Sequence, residues 1–299
     1  MSTSHIDKAS RAVVTTARLL KMLRQTFLVL TLVACVLGAS LPVRRVPHTG
    51  PARRFAVSRG RIFGGHDAAR GEIPYQVSLQ YVLLIYRMHN CGGSIISSSA
   101  ILTAGHCYQG VGYYIAVAGE NDLSTSEGSE QEIRVSEQIV HPDYPGGTVV
   151  APSDIAVFKL QSPLTLDDYV QIIGLPSADS LPEGGSAAVM SGWGATETAT
   201  TPDILQTVNV TIIDYETCRQ NIDDLEFGDN PLTDTMVCTG PLFDGISVCN
   251  GDSGGPLAQN GIVIGVGSWG VTYPTCGYPG APSVFTRVSA FIDFINENL

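Results

Sequence analysis

Short apolar runs separated by turn-forming residues dominate the chain from Ile62 onward. The runs are rich in Val, Ile and Ala, and Gly, Pro, Asn or Asp stands between successive runs. Regular spacing of short strands with turn signals is typical of a β-barrel or a β-sandwich. We predict strands at Tyr75–Leu79, Gly93–Ile96, Ala100–Ala104, Tyr114–Ala118, Ile155–Leu160, Ser186–Ser191, Gln206–Ile213, Gly261–Ser268 and Ser283–Val288.

Helical periodicity occurs only in the tail, from Ser289 to Asn298. Phe291, Ile292 and Ile295 fall on one face of this segment, and Ser289 is a suitable N-cap. No repeat or linker interrupts residues 62–299, so we predict one compact all-β unit with a short C-terminal helix.

The N-terminal part has the pattern of a secretory leader. An apolar run from Phe27 to Leu37 follows basic residues and ends in small residues, and it is shorter than the ~20 residues that cross a bilayer. We predict a signal region over 1–40, which would have an ordinary length if translation began at Met22. A signal anchor is the alternative. Residues 41–61 are basic and predict an activation pro-segment that is cut after Arg61.

Charge divides the chain at the same point. Residues 1–61 hold 11 of the 17 Lys and Arg residues and one acid, which leaves six basic and 27 acidic residues beyond, a net charge of −21. Such an acidic body repels nucleic acid and anionic membrane, so we expect neither as a partner after processing. Six of the seven cysteines lie in this body, and their even number without a Cys-x-x-Cys pair favours disulfides and a secreted, extracellular protein.

Candidate chemistry centres on the hexapeptide Gly251–Pro256, in which Ser253 stands between an acid and two glycines. A histidine, His106, lies in an Ala-Gly-His-Cys setting, and Asp154 precedes an apolar run. A serine hydroxyl becomes a nucleophile when a histidine takes its proton, and a buried carboxylate orients that histidine. These three residue types therefore indicate acyl transfer by a serine enzyme.

The order of these motifs resembles the chymotrypsin-like (trypsin-fold) serine endopeptidases, and most closely the chymotrypsins and brachyurins of invertebrates. The resemblance implies two packed six-stranded antiparallel Greek-key barrels and a short C-terminal helix. It also implies a catalytic triad of His106, Asp154 and Ser253, with an oxyanion hole formed by the amides of Gly251 and Ser253.

Activation and cross-links are implied by the same resemblance. Cleavage after Arg61 would release the amine of Ile62, which would pair with Asp252 and arrange the oxyanion hole. The implied disulfides are Cys91–Cys107, Cys218–Cys238 and Cys249–Cys276.

The resemblance implies a specificity pocket whose base is Ser247, six residues before the nucleophile. A serine there argues against a preference for Arg or Lys, because a buried substrate cation would lack a partner. The resemblance also assigns Ser268, Trp269, Gly270 and Ser283 to substrate binding. We expect a chymotrypsin-like preference for Phe, Tyr, Leu or Met, with an elastase-like preference for small residues as the alternative.

Two further segments have open interpretations. The apolar stretch Gln80–Asn90 is either an extended hairpin packed on the body or a contact surface on the leaving-group side of the substrate. The acidic loop Glu120–Glu130 is either a solvated hairpin or a calcium site, with ligands from Glu120, Asp122, Thr125 and Glu130. No cofactor is required for the chemistry, so calcium would be structural.

The sequence therefore predicts a secreted, monomeric zymogen that hydrolyses peptide bonds, with a digestive role. Its expected partners are protein and peptide substrates, a trypsin-like activating protease and protein inhibitors of proteases. The alternatives are collagen-degrading brachyurin-type specificity, a protease of a cascade or venom, and a non-catalytic homologue that acts as a binding protein.

Overall fold

The structure is a computed structural model of the chain, and it describes residues 65–147, 150–196, 201–226, 228–271 and 276–299. The predicted signal region, the pro-segment and the Arg61–Ile62 junction lie outside the described residues, so those boundaries stay predictions. No helix in the described ranges has the length and apolar character needed to cross a membrane.

Two closed antiparallel barrels form the described chain, which confirms the fold prediction. The strands are β1 His66–Asp67, β2 Gln76–Leu83, β3 Tyr86–Ser97, β4 Ala100–Thr103, β5 Tyr113–Ala118, β6 Gln131–Val140, β7 Ala156–Leu160, β8 Ala187–Gly192, β9 Gln206–Ile213, β10 Met236–Gly240, β11 Pro256–Gln259, β12 Ile262–Trp269 and β13 Ser283–Arg287. The first barrel has the strand order β2-β3-β4-β7-β6-β5, and the second has the order β9-β10-β13-β12-β11-β8, closed by pairing of β8 with β9. The short strand β1 pairs with β9 at its edge.

Helices cover little of the described chain. Helix α1 spans Tyr215–Asp224, and the tail forms a 3₁₀ turn at Val288–Phe291 followed by helix α2 at Ile292–Glu297. The expectation that only the tail is helical was wrong. Helix α1 lies on the surface with only Cys218 buried, so it lacks an apolar stripe, and its signal is the N-cap Asp214, which accepts from the amide of Thr217.

The predicted cap of the tail helix was also wrong. Ser289 is buried, and its hydroxyl donates to the carbonyl of Ser180 and accepts from Arg287. This serine therefore joins the tail to the second barrel instead of capping α2, which begins three residues later.

The barrels meet along β3 and the loop before β11. The amide of Gly92 donates to the carbonyl of Ser253 at 2.8 Å, and Ser191 donates to the side chain of Gln76 at 2.8 Å. Residues of both barrels, such as Leu79 and Val266, join one buried cluster. The cleft between the barrels therefore brings residues distant in sequence to one place.

Candidate active site

His106 is held at the end of β4 in a tight turn. The turn Gly105–Cys107 is a single 3₁₀ turn, and the disulfide Cys91–Cys107 ties it to β3. A Cβ on Gly105 would lie 2.9 Å from the ring of Tyr144 and 3.3 Å from Oδ1 of Asp154. Only glycine leaves room for His106 to sit this close to the carboxylate.

Asp154 is buried just before β7, and its carboxylate makes three hydrogen bonds. Its Oδ2 lies 2.7 Å from Nδ1 of His106 and 2.6 Å from the donating hydroxyl of Ser268, and its Oδ1 accepts from the amide of His106 at 2.8 Å. Burial acts to raise the pKa of Asp154, but His106 and these hydrogen bonds outweigh it and hold the pKa below its usual value. The group is therefore a carboxylate at neutral pH.

The carboxylate fixes the state of the imidazole. Burial acts to lower the pKa of His106, but the charge of Asp154 and its hydrogen bond outweigh burial and leave the pKa raised. Because Nδ1 donates to a carboxylate, the neutral ring carries its lone pair on Nε2. The arrangement can therefore accept a proton at Nε2 and stabilise the resulting cation.

Ser253 lies in the loop between β10 and β11, against β3 of the other barrel. Gly251 and Gly254 both have positive φ, +107° and +75°. A Cβ on Gly254 would lie 2.1 Å from Oγ1 of Thr103, so that position requires glycine. Within the described residues, the amides of Gly251 and Ser253 donate to no protein acceptor, so they are available to an oxygen that enters the cleft.

A family model described as Trypsin matches residues 62–295. The chain belongs to the trypsin family. It is 39% identical over 247 residues to trypsin-1 of Astacus astacus, and this alignment covers 79% of the chain and 99% of trypsin-1. It is 37% identical over 255 residues to chymotrypsin-like elastase family member 1 of Felis catus, and 36% identical over 251 residues to that of Macaca fascicularis. Both elastase alignments cover 82% of this chain and 92% of the relative.

The family assignment confirms the resemblance and makes the protein a serine endopeptidase. Its substrates are proteins, and the motifs at His106, Asp154 and Ser253 lie inside the matched range.

Asp252 is buried without a cation beside it in the described part of the chain. Its two oxygens accept from the amides of Gly194 and Cys249, at 2.8 and 2.9 Å. Burial raises its pKa to about 6, against the lowering effect of these two bonds. A Cβ on Gly192 or Gly194 would collide with this carboxylate, so the protease encloses it closely.

His89 is a site residue that the sequence did not indicate. Its Nε2 donates to the carbonyl of Gly251 at 3.0 Å, its Nδ1 lies 2.8 Å from the hydroxyl of Ser78, and its ring packs against Trp193. Burial lowers its pKa to about 4, so the ring is neutral. A lone histidine in the alternating pattern of β3 gives no signal for this contact across the barrels.

Three of the predicted specificity residues, Ser247, Gly270 and Ser283, lie around Val248 in the second barrel. Ser247 is buried; its hydroxyl donates to the carbonyl of Val248 at 3.0 Å and accepts from the amide of Gly277 at 2.7 Å. The hydroxyl of Ser283 accepts from the amide of Val248 at 2.9 Å. A Cβ on Gly270 would lie 3.0 Å from Cγ2 of Val248, so this valine narrows the space beside Gly270. The sequence did not predict this role of Val248. Trp269 is half-buried next to it.

The three disulfides have the pairing that the resemblance implied. Cys91–Cys107 holds the histidine turn, Cys218–Cys238 joins α1 to β10, and Cys249–Cys276 joins the segment after Val248 to the segment after β12.

In the acidic loop, two carboxylates already accept hydrogen bonds from residues of the same loop. Asp122 accepts from Ser124 and Thr125, and Glu130 accepts from the amides of Glu127 and Gly128. Burial, followed by the negative charges of Glu130 and Glu127, raises the pKa of Glu120 to about 7. One buried oxygen of Glu127 has no hydrogen-bond partner among the described residues. Among the described residues, no three carboxylates of this loop bring their oxygens within ligand distance of one another, so a cation here would also need backbone carbonyls.

Proposed function

We propose that the protein is a secreted zymogen of a serine endopeptidase with a chymotrypsin-like preference, in which Ser253 is the nucleophile. The observation that carries the proposal is the hydrogen-bonded chain from Ser268 through Asp154 to His106, next to the loop that holds Ser253. In this mechanism Nε2 of His106 takes the proton of Ser253 as the hydroxyl attacks the peptide carbonyl. His106 then returns the proton to the leaving amine, and water repeats the sequence to release the acid.

Charge develops on the carbonyl oxygen during each attack. The free amides of Gly251 and Ser253 are the groups that would stabilise this oxyanion, and one such donor contributes about 3 kcal/mol in a comparable site. Asp154 keeps the imidazole in the required tautomer and stabilises the cation that forms.

Activation would depend on Asp252. A buried carboxylate without a cation costs several kcal/mol, and the amine released at Ile62 by cleavage after Arg61 supplies that cation. We propose that this ion pair completes the oxyanion hole. A protease that cuts after basic residues would be the activator.

The pocket supports cleavage after large apolar residues. Its base carries a hydroxyl that is already hydrogen-bonded, and Val248 adds an apolar wall, so a substrate cation would be unpaired there. An elastase-like preference is the second candidate, because Val248 beside Gly270 and the hydroxyl of Ser283 both shorten the space. Similarity to two elastases also favours it.

The test is to cleave the precursor after Arg61 and compare amide substrates that end in Tyr, Leu, Ala and Arg. We expect turnover in the order Tyr or Leu, then Ala, then Arg. A preference for Ala would favour the elastase alternative, and a preference for Arg would overturn the pocket argument. Absence of turnover for all four would contradict the proposed catalytic site.

We also propose a structural calcium ion in the acidic loop. Glu120 and Glu130 would hold it with the backbone carbonyls of Asp122 and Thr125, and the buried oxygen of Glu127 lies in the same loop. Millimolar calcium should raise the melting temperature of the parent and not that of Glu120→Gln. An equal melting temperature of the parent with calcium and with EDTA would exclude the site.

The proposed setting is digestion, with the protein acting as a monomer that protein inhibitors can block at the cleft. A cascade or venom enzyme would differ in cutting one native protein at one bond. Digestion of several denatured proteins at many apolar sites would support the digestive setting.

A further inference from the structure

Strand β9 carries a polar side chain that neither pairing nor packing explains. Asn209 lies in the middle of the strand, where its side chain is exposed and makes no hydrogen bond with a described residue. Asparagine is depleted in strands, because its side chain favours turns. The other asparagine in a described strand, Asn90, is half-buried and donates to the hydroxyl of Tyr114 at 2.6 Å. Folding therefore accounts for Asn90 but not for Asn209.

Asn209 also begins the only Asn-x-Ser/Thr motif of the chain, Asn209-Val210-Thr211. Successive residues of a strand point to opposite faces, so Asn209 and Thr211 share one face. Both are exposed, whereas Val208, Val210 and Ile212 are buried in the barrel. The motif is the acceptor for N-linked glycans, which are bulky and need a surface position. The structure therefore presents both of its polar residues on the outside of the second barrel.

The surface beside Asn209 has small side chains. Its partner in the sheet is Val189 of β8, and Thr211 pairs with Ala187. Val189 is half-buried and Ala187 is exposed, so neither side chain covers the asparagine. The folded chain can therefore carry a large group on Asn209 without rearrangement of the strand.

The backbone at Asn209 lies in a gap between two pairings of β9. Strand β1 pairs with residues 206–207 and strand β10 with residues 211–213, and no other described strand pairs with β9 on that side. Ile212 exchanges backbone hydrogen bonds with the loop before β8, on the opposite side. Because backbone groups alternate along a strand, those of Asn209 face the gap. An open stretch of strand edge can pair with another chain, and a bulky group at its centre would block that contact.

We propose that Asn209 carries an N-linked oligosaccharide, which covers the outer face of β8 and β9 and blocks the open edge beside it. This inference rests on the secretion included in the proposed function, because the sugar is added in the secretory pathway. The donor is an oligosaccharide joined to a lipid diphosphate. Nδ2 of Asn209 forms a bond with the anomeric carbon of the first sugar, and the bond between that carbon and the diphosphate breaks. The amide nitrogen releases a proton, and the lipid diphosphate leaves.

The test uses the full precursor, expressed in secreting eukaryotic cells and collected from the medium. A glycosidase that removes N-linked glycans should increase its electrophoretic mobility in a single step. The same enzyme leaves an aspartate where the glycan was attached, and mass spectrometry should find it at position 209 and at no other asparagine.

Four variants locate the sugar. Asn209→Gln and Thr211→Ala should abolish the mobility shift, because each removes one polar residue of the motif. Thr211→Ser restores the hydroxyl and should retain the shift. Asn296→Gln, which changes an exposed asparagine of α2 outside any such motif, is the matched control and should also retain it.

The blocking role has its own measurement. Removal of the glycan from the folded parent should increase the oligomer fraction in size-exclusion chromatography, and the glycosylated parent should elute as a monomer. Equal oligomer fractions before and after removal would overturn this role.

Two results would overturn the site itself. These are a secreted precursor whose mobility the glycosidase does not change, and a mobility shift that persists in Asn209→Gln. A precursor that stays inside the cells with its leader intact would overturn the proposed secretion, and the inference would fall with it. Analysis of the medium therefore separates failure of the glycan from failure of the proposed function.

Discussion

Replacement of Asp252 by asparagine tests how the precursor is switched on. In the structure this carboxylate is enclosed, 2% exposed, and accepts from the amides of Gly194 and Cys249. Asparagine has the same shape but no charge, so it cannot attract the amine of Ile62. The side-chain NH₂ of the asparagine would also face a backbone N–H group, where Asp252 presents an acceptor oxygen. The substitution therefore removes the proposed switch and leaves the fold in place.

The energy of the proposed ion pair between Asp252 and the Ile62 amine follows from the pKa of Asp252. Burial raises this pKa from 3.8 to about 6, and the folded-state value therefore lies above the unfolded one. The protonated group contributes its full stability below pH 4, and that contribution is lost as the pH rises through about 6. The loss is about 3 kcal/mol at neutral pH, at about 1.4 kcal/mol per pH unit. Pairing with the Ile62 amine should restore an energy of this order.

The assay measures unfolding in urea at pH 7 on a Ser253→Ala background, which prevents self-digestion. Cleavage after Arg61 should raise the free energy of unfolding by about 3 kcal/mol more in the Asp252 protein than in Asp252→Asn. With Ser253 present, cleaved Asp252→Asn should lose at least about 10²-fold in kcat, the effect of one missing oxyanion donor. Asp168→Asn, an exposed acid, is the control and should behave as the parent. Full activity of cleaved Asp252→Asn would refute the switch.

Three further results are expected. Asp154→Asn should lower kcat about 10⁴-fold, as in related serine triads, because the imidazole would adopt the wrong tautomer; a loss below tenfold would contradict the assigned role. Because the pKa of His106 is raised and the base must be neutral, kcat/KM should fall with decreasing pH through a value above 6.5. Asp154→Asn should shift this acidic limb of the pH profile to lower pH. An unshifted pH profile would argue against the pairing of His106 with Asp154. Removal of the Cys218–Cys238 bridge by paired Ala substitutions should cost about 3 kcal/mol of stability in urea. No loss would show that α1 is held by packing alone.

The sequence predicts those parts of the fold whose apolar pattern is strong. Strands such as β4 and β9 have buried side chains along most of their length, and their predicted bounds agree with the structure within one residue. Four strands, β1, β6, β10 and β11, were not predicted. Strand β6 has only one buried residue, β10 is buried but only five residues long, and β11 follows directly from the glycines of the nucleophile loop. Tertiary pairing, which a local pattern does not contain, decides these segments.

The site shows the same division. His106, Asp154 and Ser253 lie in distinctive local settings, so their chemistry could be inferred before their geometry. His89 and Val248 could not, because their roles depend on contacts with residues distant in the sequence, Gly251 for His89 and Gly270 for Val248. The tip of the hairpin is an intermediate case. Its apolar composition was visible, whereas the exposure of Leu84 and the pairing of β2 with β3 required the structure.

The most direct measurement of the central claim is covalent labelling of Ser253. The chain is cleaved after Arg61 and treated with an organophosphonate that reacts with activated serines, and the labelled peptide is identified by mass spectrometry. We predict one adduct, on the peptide that contains Ser253, at a rate that falls at least about 10²-fold in His106→Ala and in the uncleaved precursor. Labelling of another serine, or labelling of Ser253 at the same rate in His106→Ala, would contradict the account.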